Sequence, residues 1–153
     1  RPGEIAFGNK VIWSASSPDG RAWGQYAVAL DVRPGMWDSR RLGAGAVPFR
    51  TERGWLEIYH GVDEAGRYHL GLALFDLNDP QRLIGRSARP ILSPDAPYEA
   101  KGFYSGVVFS CGAVVEEDGL VRVYYGCADE SMAVAEATVD ELLALIEPVA
   151  AAR

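Results

Sequence analysis

The sequence has no apolar run long enough to span a bilayer. Its first residues, Arg1-Pro2-Gly3-Glu4, carry no signal-peptide pattern. It also lacks a basic excess, with 15 Lys and Arg against 21 Asp and Glu and a formal net charge of −6. Nucleic acids and anionic membranes select a basic face, so neither is an expected partner, and the cytoplasm is the expected location. Cysteine and histidine are scarce. No short metal-ligand spacing joins Cys111 and Cys127 to His60 or His69, which argues against zinc. Two buried free thiols are expected, with pairing across neighbouring strands as the alternative.

What is present is ordinary for a soluble domain: 153 residues, 48% hydrophobic and 24% charged. Short apolar or alternating runs are separated by turn signals such as Pro18-Asp19-Gly20, Glu52-Arg53-Gly54, Glu64-Ala65-Gly66 and Glu117-Asp118-Gly119. The pattern predicts an all-β chain. Only the end reads as a helix, over about residues 139–147, where Thr138-Val139-Asp140-Glu141 fits a capping box ahead of an apolar run.

The strands repeat. Gly54-Trp55-Leu56-Glu57-Ile58-Tyr59-His60-Gly61 aligns without gaps on Gly119-Leu120-Val121-Arg122-Val123-Tyr124-Tyr125-Gly126. Leu56 and Ile58 share one strand face, as do Val121 and Val123, so the pleat keeps its phase between copies. Gly45-Ala46-Val47 and Gly112-Ala113-Val114 precede the two copies, and Leu70–Leu74 and Met132–Ala135 follow them. A fainter copy has Val11-Ile12-Trp13 and then Tyr26–Leu30. This spacing predicts a partial β-propeller spanning 1–153, with blade-like repeats at roughly 5–35, 43–90 and 107–138, each of four short strands. Propellers close with about four to eight blades, so about three would leave an open arc with exposed apolar faces. Self-association, or association with missing blades, is a corresponding expectation.

Candidate chemistry gathers near the strand ends. His60 is either an anion donor or a core histidine bonded to a neighbour. Arg40 and Arg41 precede the glycine-rich Leu42-Gly43-Ala44-Gly45, where backbone and ligand could approach closely. A guanidinium and an imidazole would suit phosphate or carboxylate, although adjacent arginines are often a solvated pair. Asp129 follows the Tyr124-Tyr125-Gly126 strand, and Asp63 holds nearly the same place in the previous repeat. Either carboxylate could bind sugar hydroxyls beside an aromatic ring, or cap its own turn. Among four tryptophans, Trp37 is a possible sugar contact and Trp55 reads as core.

The segment Trp37–Gly45, then Gly54–Gly61, Tyr68–Gly71, Leu74–Pro80, Pro90–Leu92, Val107–Val114 and Tyr124–Asp129 resembles glycoside hydrolase family 130, in order and over nearly the whole chain. The resemblance implies a five-bladed propeller and an inverting β-mannoside phosphorylase, which cleaves with inorganic phosphate to give α-mannose 1-phosphate. It implies phosphate contacts at Arg41, where lysine is commoner, at His60 and at Tyr68, and a mannosyl contact at Asp129. No cofactor is implied; phosphate is a co-substrate and a mannoside oligosaccharide or disaccharide the partner. The general acid belongs to N-terminal blades outside this chain, so the chain alone is not expected to catalyse. Gly106, Ser110 and Glu130 depart from the family pattern, which keeps hydrolysis and non-catalytic sugar binding as alternatives.

Overall fold

The computed structural model describes residues 10–149. Among these residues eleven strands and two short helices follow one another. They are β1 (Ile12–Ser16), β2 (Gly24–Leu30), β3 (Arg41–Ala44), β4 (Phe49–Arg50), β5 (Trp55–Val62), β6 (Tyr68–Phe75) and β7 (Leu83–Ser87). Then come α1 (Pro97–Ala100), β8 (Val108–Val115), β9 (Leu120–Cys127), β10 (Ser131–Thr138), α2 (Val139–Ala144) and β11 (Ile146–Pro148).

All the strand pairs are antiparallel, and they form three sheets in chain order. The first is the hairpin β1-β2; the second runs β11-β7-β6-β5-β3, with β4 also on β5; the third runs β10-β9-β8. The two aligned repeat segments fall on β5, an interior strand of the second sheet, and β9, the middle strand of the third. Among the described residues the sheets hold two, six and three strands, where four each were expected. Two causes enlarge the second sheet. Gly45 to Pro48 interrupts the edge facing β5, so β3 and β4 pair with it separately, and β11 joins β7 from the far end of the chain.

The sheets stack through two cores. Leu56, Ile58, Leu70, Leu72 and Leu74 on one face of the second sheet meet Val108, Val121, Val123 and Tyr125 of the third. The opposite face, through Tyr59, Ala73 and Phe75, meets Ile12 and Leu30 of the first. Leu56, Ile58, Leu70 and Leu72 are completely buried, each contributing about 1.5–3 kcal/mol of hydrophobic stabilisation. A central sheet covered on both faces reads as a near-continuous apolar run, which is what β5 and β6 are.

The C-terminal helix is shorter than the 139–147 expected. Thr138 Oγ1 accepts from the Glu141 amide at 3.2 Å, and the Glu141 carboxylate accepts from the Thr138 amide at 2.7 Å, so the capping box forms. The helix stops at Ala144 because Ile146 is drawn into the core opposite Ser87 of β7. Long-range pairing overrides the local helical pattern there. Both cysteines are free; Cys127 is buried, whereas Cys111 lies exposed near the bulge of β8, contrary to the expectation of two buried thiols.

Candidate functional site

Strand register alone brings three of the candidate residues together. Arg41 of β3 pairs with Val62 of β5, which pairs in turn with Tyr68 of β6. Two residues along, Gly43 opposes His60, which opposes Leu70. Positions two apart along a strand share a face, so Arg41, His60 and Tyr68 all project toward the third sheet. His60 lies inside β5 rather than at its end, and is 3% exposed. Its ring centroid stands 4.2 Å from that of Phe109 on β8 and 5.9 Å from that of Tyr68. Gly43 is what makes room for it: a Cβ there would lie 2.1 Å from His60 Nε2. The glycine-rich stretch thus serves as clearance for an imidazole.

Two adjoining clefts open on this face. One, of about 160 Å³, is bordered by Lys10, Arg40, Arg41, Tyr68 and Tyr104. The other, of about 200 Å³, is bordered by Tyr68, Tyr104, Val107, Phe109 and Asp129. Tyr68 and Tyr104 are common to both. One cleft therefore gathers three cations and phenol groups, and the next sets a carboxylate among aromatic rings. The first chemistry suits an anion, and the second suits a polyhydroxylated ring.

Asp129 is presented by a strained turn. Ala128 and Asp129 have φ of 52° and 54°, the left-handed region that non-glycine residues seldom occupy. Glu130 N–H donates to Cys127 C=O at 3.1 Å, which closes the turn. The buried Ala128 holds it by donating to Val107 C=O at 2.9 Å and accepting from Tyr104 N–H at 2.9 Å. Both anchors lie beside the sugar-type cleft, so the strain is held where it aims a side chain.

Asp63, the counterpart of Asp129 in sequence, does something different. Burial pushes its carboxyl up, but bonds from the Arg67 amide, His69 and the Arg67 side chain prevail and hold it below the usual range. It caps its own turn, accepting from Arg67 N at 2.9 Å, and His69 bridges it to Ser93 at 3.2 and 3.0 Å. Trp37 is also structural. Its Nε1 donates to Ala88 C=O at 3.0 Å, and its ring stacks on Tyr59 at 5.6 Å. A Cβ on Gly71 would meet it at 2.3 Å. Trp55 packs against the core between the first two sheets.

Sequence reasoning missed Lys10 and Tyr104, because neither belongs to a repeat or a motif. It also missed a buried ion cluster behind the clefts. Asp38, fully buried, accepts from Arg33, from Arg86 Nη2 at 2.6 Å and from Tyr59 Oη at 2.8 Å. The four residues are dispersed over residues 33–86, and only the run Trp37-Asp38-Ser39-Arg40-Arg41 hinted at them.

Comparison with known proteins identifies the family. A family model described as beta-1,4-mannooligosaccharide phosphorylase matches residues 5–148. A beta-1,2-mannobiose phosphorylase of Listeria innocua is 50% identical over 147 residues, which cover 96% of this chain and 41% of that protein. A 1,2-beta-oligomannan phosphorylase of a Thermoanaerobacter species is 43% identical over 124 residues, 81% of this chain and 42% of that one. The solved complex of the Listeria innocua phosphorylase with beta-1,2-mannobiose superposes with a TM-score of 0.89 and 48% identity, over 95% of this chain and 41% of that one. The chain thus spans about two fifths of the length of the relatives it matches.

Proposed function

This chain belongs to glycoside hydrolase family 130, and from that premise we propose that it supplies the phosphate-binding and mannosyl-binding part of an inverting β-mannoside phosphorylase. The observation that carries the reading is the pair of adjoining clefts, one cationic and one holding Asp129, joined through Tyr68 and Tyr104. In this reading Arg41, His60 and Tyr68, joined by Lys10 and Arg40, hold inorganic phosphate. Asp129 accepts hydrogen bonds from hydroxyls of the mannosyl ring, and Phe109 and Tyr104 offer it apolar surface. The β-1,2 linkage is the substrate we favour, since the 50% identical relative is named for β-1,2-mannobiose.

The chemistry then divides between this chain and the rest of the protein. A phosphate oxygen attacks the anomeric carbon, the bond from that carbon to the glycosidic oxygen breaks, and the leaving oxygen takes a proton from a general acid. The product is α-mannose 1-phosphate. Phosphate is itself the nucleophile, so no protein base is required. Among the described residues Asp129 is the one carboxylate bordering the two clefts, and its role is to bind. The general acid is accordingly assigned to residues outside those described. The three sheets are read as blades of an incomplete ring, and the missing sheets as the carriers of that acid.

Hydrolysis would need a second carboxylate to activate water, where this cleft gathers cations instead. Calorimetric titration of the chain with inorganic phosphate and with mannose tests the reading. Both should bind, and Arg41→Ala should weaken phosphate at least tenfold while leaving mannose within twofold. Loss of both ligands together, or mannose release without phosphate by the complete protein, would sink it.

A further inference from the structure

We propose that Asp38 is the positioning residue of the cationic cleft, holding Arg40 and Arg41 in place from behind the sheet. The proposal rests on the reading of that cleft as a phosphate site.

Asp38 is 0% exposed and accepts five hydrogen bonds. Arg33 Nε reaches Oδ1 and Oδ2 at 3.0 and 3.1 Å, and Arg33 Nη2 reaches Oδ2 at 2.8 Å. Arg86 Nη2 adds a bond at 2.6 Å and Tyr59 Oη one at 2.8 Å. Arg86 in turn donates to Tyr59 Oη at 2.9 Å and to Asp31 C=O at 2.7 Å, which ties the cluster to the loop it leaves. A buried carboxylate held by five donor contacts, four of them on Oδ2, is fixed in position, because shifting it would part it from two guanidinium groups and a phenol at once.

That position is set directly behind the site. A Cβ on Gly61 would lie 2.6 Å from Asp38 Cβ, so the aspartate rests on the β5 backbone between His60 and Val62. His60 projects from the opposite face of that strand. The chain running on from Asp38 is fastened at once. Ser39 Oγ donates to Glu64 at 2.7 Å, Arg40 N–H donates to Val62 C=O at 3.0 Å, and Arg41 pairs with Val62. Both cations therefore leave the backbone within three residues of a fixed anchor. Their ordering is accomplished by folding instead of being charged against phosphate binding.

A cluster that merely glued the first two sheets together would lower stability when loosened and leave ligand preference unchanged. Asp38→Asn would strand two guanidinium groups and could unfold the chain, so milder variants make the test: Tyr59→Phe and Arg33→Lys in the full chain. Each would be titrated with inorganic phosphate and, separately, with mannose, alongside a thermal melt. The expected result is a folded protein whose phosphate affinity falls roughly three- to tenfold with mannose affinity held within twofold. Phosphate affinity unchanged within twofold in a folded variant overturns the proposal, and so does an equal loss of both ligands. Absence of phosphate binding by the parent chain overturns the underlying site reading, and is seen before any variant is made.

Discussion

Glu57 is the residue that most needs explaining. It sits in β5 opposite Ala73, on the face turned toward the first sheet, and is 5% exposed. Burial alone pushes its carboxyl from 4.5 up to about 7. A raised folded-state value means that the folded protein binds this proton more tightly than the unfolded chain does. The contribution is therefore full below about pH 4.5 and is lost as pH rises through about 7. A rise of that size corresponds to roughly 3 kcal/mol. Glu57→Gln should raise the melting temperature at pH 8 and change it little at pH 5; an equal shift at both pH values would refute the linkage. Gly43 makes the second case at this scale. Gly43→Ala places a methyl 2.1 Å from His60 Nε2 and should cost about 1–3 kcal/mol together with phosphate affinity. Adding His60→Ala should recover the stability and not the affinity, as chemical denaturation and titration of the double variant would show.

At the scale of elements, α2 is a short helix with a large consequence, because it turns the chain from the third sheet back onto β7 of the second. Only six residues long, it could not persist alone and depends on its cap and on buried Leu142 and Leu143. Thr138→Ala should destabilise the chain by about 1 kcal/mol in denaturant unfolding, and Thr138→Ser should restore most of that. The capping box was legible in sequence because its signal is local: a hydroxyl, then a carboxylate three residues on. The strand that follows was not. Leu142-Leu143-Ala144-Leu145-Ile146 continues a helical pattern, and nothing nearby says that Ile146 has a partner at Ser87. Likewise β5 and β9 announced themselves through their shared phase, whereas the division of β3 from β4 shows only in their separate pairing with β5 on either side of Gly45 to Pro48.

For the whole molecule the question is what covers its ends. The third sheet turns an apolar face outward: Tyr124, Met132 and Val134 are 42, 64 and 50% exposed, and the β9-β10 register sets them side by side. The first sheet exposes Tyr26 and Val28, and the loop leading into β2 exposes Trp23. Apolar surface gathered in this way favours association. Sedimentation velocity on the isolated chain should show concentration-dependent self-association, reduced by Met132→Glu with Val134→Glu. A monodisperse parent at high concentration would contradict this. Among the described residues no helix is long and apolar enough to cross a membrane.

From sequence alone came the strand content, the two strongest repeats, the family, and the candidates Arg41, His60, Tyr68 and Asp129. Each rests on order along the chain, and pleat phase carries order into face. Left to the tertiary structure were the partners. Whether Asp63 or Asp129 faces a cleft depends on Arg67 and His69 in one case and on Val107 and Tyr104 in the other. Which tryptophan packs, what Gly43 clears, and why Asp38 can be buried depend on residues up to 51 positions away. Hydrogen bonds and burial are settled between surfaces that meet only after folding, so a linear pattern names the participants before it can say which of them touch.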